Sequence, residues 1–157
     1  MPQSADRIVA ALALPERKRN LDAVVPLPVA DLGPLVDGGS VIFSLVRVAE
    51  NGVVAARMAM EALGWATGLT IRLSVSSRLL VVAPCDSRGQ ASVPPKMSLT
   101  MPARLRAQCR IRPGDQVLLA ALVEHDLLVV YPQHVLHEMV TAYHTDLAST
   151  PHRTAAK

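Results

Sequence analysis

The feature that most constrains the fold is an internal repeat. Trp65–Gly68 precedes Ile111–Gly114 by 46 residues, and Leu79–Pro84 precedes Leu127–Pro132 by 48 residues. The second hairpin of the repeat is therefore two residues longer than the first. Propellers and solenoids with a period of this size need three or more units to be stable. Two copies instead predict a pseudo-symmetric pair of half-units that bury one shared core.

Hydrophobic periodicity predicts a strand, a short helix and a hairpin in the first copy. We expect a strand over Val41–Val48 and a helix over Ala56–Leu63, with Gly64 as the left-handed C-terminal cap of the helix. Leu69–Val75 is apolar at every odd position, which is the period of a half-buried strand. Leu79–Val82 is the predicted return strand.

The same order of elements is predicted in the second copy. Ser98–Met101 is a predicted strand, and Pro102–Cys109 is a predicted short helix that begins with proline, which suits a first helical turn. Gln116–Val123 and Leu127–Tyr131 are predicted strands that flank a hairpin turn at Glu124–Asp126. The chain is thus expected to be mainly β with short helices, an α+β fold.

Three segments lie outside the two copies. Residues 1–40 contain several prolines and are expected to be partly disordered, with a short helix over Ala5–Leu14. The expected divisions are 1–40, a first half at 41–84, a polar linker at 85–95, a second half at 96–132, and a helix with a tail at 133–157.

The last segment contains a predicted amphipathic helix, Gln133–Ala148. Five apolar side chains share one of its faces. Two interpretations stay open: the face packs on the rest of the fold, or it docks a protein partner or a second copy of the chain. The five residues are Leu136, Met139, Val140, Tyr143 and Leu147.

Composition limits the kind of partner. Aromatic residues make up 3% of the chain, so stacking on unpaired bases has few side chains to use. The net charge of +3 allows an anionic partner. Between residues 88 and 112 the chain carries six basic residues and no acidic one, a pattern that suits phosphate contacts. These six are Arg88, Lys96, Arg104, Arg106, Arg110 and Arg112.

Three blocks of the second copy carry a family resemblance. Lys96–Arg106 (KMSLTMPARLR) resembles a segment of the form KGRITIP..LR, and Ile111–Val117 (IRPGDQV) resembles a segment of the form I+PGD.V. Leu127–Pro132 resembles the closing strand that follows them. Together they resemble the AbrB/SpoVT/MazE-like swapped-hairpin family. The first copy resembles the same module more weakly, through Gly52 and Ala62–Gly68, and the two-unit layout resembles tandem actinobacterial members.

The resemblance implies a swapped-hairpin β-barrel in which both interleaved halves come from one chain. It also implies binding of double-stranded DNA through basic residues around the strand-helix segment. Arg106 matches the Arg that follows Pro-x-x-Leu, and Lys96 matches the basic residue before the family glycine. The full expected DNA-binding set is Lys96, Arg104, Arg106, Arg110 and Arg112.

Three positions depart from the family pattern. Met97 stands where glycine is usual and Ser98 where Arg is usual, and Val53 replaces that Arg in the first copy. The loss of two arginines removes candidate contacts to phosphate or bases. Arg106 and Arg110 are four residues apart and share a face if the helix extends that far.

The leading hypothesis is a DNA-binding transcriptional regulator. The alternative is an antitoxin-like module that binds a toxin or another protein, with residues 1–40 or the C-terminal helix around the partner. Oligomeric state stays open between a monomeric pseudo-dimer and a homodimer.

An enzyme is not expected, because the chain has no glycine-rich phosphate loop and no nucleophile elbow. His137-Glu138 begins a zinc-protease pattern, but Thr141 replaces its second His, so neither a metal nor another cofactor is expected. Cys85 and Cys109 read as free thiols, which fits a cytoplasmic protein. The apolar run Ile8–Leu14 is too short to span a bilayer, so no membrane association is expected.

Overall fold

Alternating and β-branched apolar runs form two antiparallel sheets in a computed structural model, which describes residues 40–86 and 91–151. The chain also forms three α-helices and a short 3-10 turn at Val123–His125 within those residues. The elements, in chain order, are β1 (Val41–Arg47), β2 (Val53–Ala55), α1 (Arg57–Ala62), β3 (Thr70–Ser76), β4 (Leu79–Pro84), β5 (Ala91–Ser92), β6 (Ser98–Thr100), α2 (Ala103–Cys109), β7 (Gln116–Leu122), β8 (Leu127–Tyr131) and α3 (Gln133–Ser149).

The strand order interleaves the two copies of the repeat. The larger sheet has the order β1-β7-β8-β4-β3-β5, and β2 pairs with β6 in a separate two-stranded ribbon. Among the strands of residues 40–86 and 91–151, only the hairpins β3–β4 and β7–β8 pair strands of the same copy. The pairs β1–β7, β4–β8, β3–β5 and β2–β6 all join one copy to the other. The prediction of a mainly β fold with a C-terminal helix is confirmed. Among the described strands β1 and β5 are the two edges, and no pairing closes a barrel.

Equivalent backbone hydrogen bonds in the two copies indicate an internal twofold relation between them. The Gly68 N–H donates to the Val93 carbonyl over 2.8 Å, and the Gly114 N–H donates to the Val48 carbonyl over 2.8 Å. Gly68 and Gly114 share a positive φ, of 91° and 88°, because each follows the tight turn before a hairpin. The predicted difference in hairpin length is also confirmed: two residues connect β3 to β4, and four connect β7 to β8.

One apolar core, the inner core, receives side chains from both copies. It lies on one face of the larger sheet, beneath the ribbon and the helices α1 and α2. Trp65 is 4% exposed there, as expected of a core residue, and its indole Nε1–H donates to Asp126 Oδ1 in the second hairpin turn over 2.6 Å. Since neither half closes this interior alone, the core requires both. Its largest fully buried members are Met60, Ile71, Leu80, Leu99, Met101, Leu119 and Leu128.

A second apolar layer, the outer cluster, covers the opposite face of the sheet. It consists of Leu79, Val81, Ala120, Leu122, Leu127, Val129, Tyr131 and Val135, with the half-buried Val41, Ala83, Leu118 and Leu136 packed against it. The alternating pattern of Leu69–Val75 predicted that one face of this strand meets solvent. That prediction is wrong, because Ser74 and Ser76 on the second face are also buried.

Several other boundaries differ from the sequence predictions. Ala91–Ser92, within the expected polar linker, forms β5 because its backbone pairs with the edge of β3. This pairing matches that of Val46–Arg47 with β7, so β5 is the counterpart of β1 and belongs to the second copy. Helix α3 does not lay its apolar face on the sheet: Val135 is its one buried residue, and every residue from 137 to 149 is exposed. The predicted helix over Ala5–Leu14 and the expected disorder of residues 1–39 lie outside the described residues, as does the end of the tail, residues 152–157.

Candidate nucleic-acid interface

The two-stranded ribbon lies where the two copies meet. Its register pairs Val53 with Thr100 and Ala55 with Ser98. The middle pair, Val54 and Leu99, is buried in the inner core, each residue being 1% exposed. Because side chains alternate across a strand, the other four project away from the core. The outward face of the ribbon therefore carries small, uncharged side chains.

Related turns precede the two ribbon strands. Gly52 has a φ of 80° and Met97 a φ of 54°, so both occupy the left-handed region. Their carbonyls accept from the N–H groups of Met101 and Ala56, respectively, over 3.0 and 3.2 Å. The left-handed conformation costs a non-glycine residue about 1–2 kcal/mol. Met97 is 8% exposed, and burial of a methionine side chain contributes about 1.5–3 kcal/mol, which offsets that cost.

Lys96 and Arg104 lie at the two ends of β6. Lys96 is in the turn before this strand, and Arg104 is in the first turn of α2, which follows it. Both side chains are exposed, and neither forms an ion pair or a side-chain hydrogen bond within residues 40–86 and 91–151. These two cations are therefore free to meet an anion beside the ribbon.

Arg106 has a different environment. Its Nε–H donates to the Met101 carbonyl over 2.9 Å, and the side chain is half-buried. The guanidinium lies directly against Gly52: a Cβ on that glycine would come within 2.5 Å of Arg106 Nε. Arg106 thus links α2 of the second copy to the turn before β2 of the first, and it positions the ribbon.

Arg110 and Arg112 lie at the far end of α2. Helix α2 ends at Cys109, and Arg110 takes a left-handed conformation as its C-cap, so Arg106 and Arg110 do not form the continuous helical face that their spacing would give in a longer helix. Both arginines line a groove of about 870 Å³ between α2 and the start of α3, together with His134 and Glu138. They are separated along the chain from the ribbon by the whole of α2.

Acidic groups accompany the cations of this groove. The Arg112 backbone N–H donates to Asp115 Oδ2 over 2.9 Å. Hydrogen bonding from Arg78 lowers the pKa of Glu138, with smaller contributions from the charges of Arg78, His134 and Arg110. The five sequence-predicted residues consequently fall into three environments: Lys96 and Arg104 beside the ribbon, Arg106 beneath its turn, and Arg110 and Arg112 in a groove of mixed charge.

Arg57 is a basic residue near the ribbon that sequence reasoning missed. It begins α1 directly after β2, as Ala103 begins α2 46 residues later. Its guanidinium is exposed and lies 3.5 Å from Glu61. The repeat itself was the signal that could have located Arg57, because it aligns the first turns of the two short helices.

His134 and Cys109 contribute to the packing of α3 against the end of α2. The His134 Nε2–H donates to the Cys109 carbonyl over 2.9 Å, which joins α3 to the end of α2. Burial raises the pKa of the Cys109 thiol to about 11. Both cysteines are free thiols. Across residues 40–86 and 91–151, no three His, Cys, Asp or Glu side chains converge as metal ligands would.

No helix in the described segments is both long enough and apolar enough to cross a bilayer.

Comparison with known proteins gave no relative for this chain: no family model, no curated protein and no solved structure matches it.

Proposed function

We propose that this protein is a regulator that binds double-stranded DNA through the β2–β6 ribbon. The observation that carries the proposal is the outward ribbon face with unpaired Lys96 and Arg104 at the two ends of β6. The major groove of B-DNA, about 12 Å wide, admits a two-stranded ribbon. Neighbouring strands lie about 4.8 Å apart, so a two-stranded ribbon is narrow enough to enter that groove.

The fold we propose for this function is a covalent form of the swapped-hairpin arrangement. The exchange of β1 and β5 between the two copies supports it, as does the paired set of hydrogen bonds that relates Gly68 to Gly114. In this arrangement both halves of a dimeric DNA-binding unit belong to one chain. The ribbon lies between the two halves, so each half presents one strand to the DNA.

The ribbon residues have distinct proposed roles. Ser98 and Thr100 supply hydroxyl groups that can bond to base edges, and the apolar Val53 and Ala55 suit contact with thymine methyl groups. Lys96 and Arg104 contact phosphates on either side. Arg106 acts through Gly52 and Met101 by holding the ribbon turn. Arg110 and Arg112 are peripheral in this proposal because carboxylates share their groove.

The decisive experiment compares two variants that lose the same charge. First, the protein is used at low salt to select the duplex sequences that it binds from a random library. Lys96→Ala/Arg104→Ala is then compared with Arg110→Ala/Arg112→Ala on that duplex across a salt series. Loss of two phosphate contacts reduces the slope of log K against log salt by about 1.8, from roughly 0.9 per contact.

The first variant should show this reduced slope and weaker binding, whereas the second stays close to the parent. Equal loss in both variants would place the interface elsewhere. No enrichment of any duplex at low salt would exclude DNA binding. Ser98→Ala/Thr100→Ala should change sequence preference with little effect on the salt slope.

A second candidate function is an antitoxin-like module that binds another protein. The exposed apolar side chains of α3 favour it, with Tyr143 64% exposed and Val140 58% exposed. A pull-down separates the two functions: deletion of the chain after Glu138 would abolish capture of a protein partner and leave duplex binding unchanged.

A further inference from the structure

One surface of the molecule concentrates its exposed apolar side chains. Within residues 40–86 and 91–151, eight large apolar side chains are exposed, and seven of them lie on β1 or α3. Six of these seven form two lobes, whereas Ile42 is on the opposite face of β1 from Phe43. The sheet lobe is Phe43 and Leu45, 55% and 58% exposed. The helical lobe is Met139, Val140, Tyr143 and Leu147.

The two lobes adjoin the same apolar cluster of the sheet. Phe43 is paired with Ala120 and Leu45 with Leu118, and paired residues share a face of the sheet. Ala120 and Leu118 belong to the outer cluster, which also contains Val135 and Leu136 at the start of α3. The sheet lobe and the start of α3 therefore both adjoin the outer cluster, whose own side chains are buried. Patches of this kind mark protein–protein contacts.

Helix α3 gains little stability from its own chain beyond its first turn. Residues 137–149 are exposed on every side, and Pro132 at the N-cap forms no side-chain hydrogen bond with the helix. A free helix of this length is marginal in water, and the β-branched Val140, Thr141 and Thr145 lower its propensity further. The four side chains of the helical lobe fall within an arc of about 100° around the axis, a stripe suited to a flat apolar partner.

We propose that this surface forms a twofold dimer of the chain, in which α3 of each copy covers the sheet lobe of the other. A helical stripe and a flat sheet face are complementary in shape, and each copy carries one of each. A twofold axis satisfies both contacts at once. The dimer interface is separate from the ribbon proposed to bind DNA.

Charge at the two lobes is complementary as well. Arg47 lies on the same face of β1 as Phe43 and Leu45 and is exposed, and its Nη1 donates to the Gly114 carbonyl. Asp146 borders the helical stripe and is exposed. In the exchanged dimer an arginine at each sheet lobe meets an aspartate from the partner's helix.

The area is sufficient for a specific interface. Large apolar side chains that are about half exposed each present on the order of 90 Å². Six such side chains from each of two copies bury roughly 1,100 Å² before the flanking polar residues are counted. Specific interfaces bury about 1,200–2,000 Å² in total, so the dimer lies at the lower end of that range once its rim is included.

The mass of the full chain in solution tests the proposal. We expect a dimer by sedimentation velocity at tens of micromolar, and a monomer for both Phe43→Glu and Tyr143→Glu. Met58→Glu is the matched control, because Met58 is 61% exposed but lies on α1, outside the surface. It should remain a dimer. Circular dichroism checks that each variant keeps its fold.

Cysteine cross-linking then tests the exchange itself. In a background with Cys85→Ser, a Leu45→Cys chain mixed with a Leu147→Cys chain should form a mixed disulfide, whereas Met58→Cys mixed with Leu147→Cys should not. Charge reversal tests the same contact. Arg47→Asp and Asp146→Arg should each weaken dimerisation, and the variant that carries both substitutions should recover the dimer affinity of the parent.

Three results would overturn the proposal. The first is a monomeric parent, which would leave the surface to another segment or a different protein. The second is a dimer that persists in both glutamate variants. The third is a dimer that dissociates in Tyr143→Glu but not in Phe43→Glu, because that result indicates helix-to-helix pairing without exchange.

Discussion

At the scale of residues, the ribbon turns show two ways to occupy the left-handed region. Met97 adopts it with a buried side chain, so packing offsets backbone strain. Gly52 adopts it with no space for any side chain: an added Cβ would lie 2.8 Å from the Met101 carbonyl oxygen as well as 2.5 Å from Arg106 Nε. A glycine is therefore not needed at position 97, whereas the space at position 52 admits no other residue.

Replacement of Gly52 by alanine tests this requirement. Gly52→Ala should lower the free energy of unfolding by about 1–2 kcal/mol from backbone strain, and further because a backbone atom must move. Gly64→Ala is the control, because Gly64 has a φ of 71° but open space around it. Urea unfolding, followed by the fluorescence of Trp65, measures the free energy of unfolding of each variant. Equal losses in the two variants would contradict the close contact with Arg106.

At the scale of elements, one exposed ion pair connects the first hairpin to the C-terminal helix. Arg78, in the β3–β4 turn, donates through Nη1 and Nη2 to the two carboxylate oxygens of Glu138 over 3.0 and 2.8 Å. Residues 77 and 78 both have positive φ, the geometry of a two-residue hairpin turn. This turn aims Arg78 at α3, and the pair holds the point at which the helix leaves the body of the molecule.

This pair should give a small, pH-dependent contribution to stability. Hydrogen bonding from Arg78 lowers the pKa of Glu138 in the folded state. The contribution is therefore full above the ordinary carboxyl pKa and is lost as the pH falls through the lowered value. Because the pair is exposed, added salt should screen it.

An NMR titration of the Glu138 carboxyl group measures the shift directly. In Arg78→Asn, which removes the charge and tolerates the left-handed turn, the pKa should rise toward its usual range. A titration midpoint that does not change between parent and variant would contradict the ion pair.

At the scale of the whole molecule, we expect the chain to unfold as one cooperative unit, because strands of one half pair with strands of the other. β1 pairs with β7 and β5 with β3, while β4 and β8 join the hairpins at the centre of the sheet. Each half alone exposes the inner core and unpaired strand edges. Stability is consequently a property of the pair of copies and not of either.

Fragment complementation tests this cooperativity. Fragments 1–86 and 87–157 should each lack a cooperative unfolding transition when alone. An equimolar mixture should recover one, together with the emission of a buried Trp65, since that indole bonds to Asp126 of the other fragment. A cooperative transition in either isolated fragment would show that a half closes its own core.

The sequence by itself determined the repeat, the two hairpins, the three helices and the difference in hairpin length. These follow from local causes: alternation of apolar residues in the strands, glycines at positive φ, and proline before α2. The sequence also shows the run of basic residues between 88 and 112, but it does not show that these residues occupy different environments in the fold. Spacing places Arg106 and Arg110 on one face, whereas the end of α2 at Cys109 separates them and packs Arg106 against Gly52.

Only the tertiary structure decided which strands pair and which faces stay exposed. Alternation alone does not indicate that Ser74 and Ser76 are buried or that Ala91–Ser92 is a strand, because both depend on residues distant in the chain. The face of α3 is the clearest case. Its periodicity shows that one side is apolar, but only the path of the chain after Pro132 shows that the sheet of the same molecule does not cover Tyr143 and Leu147. Local patterns act over a few residues, whereas burial is set by what the rest of the chain places nearby.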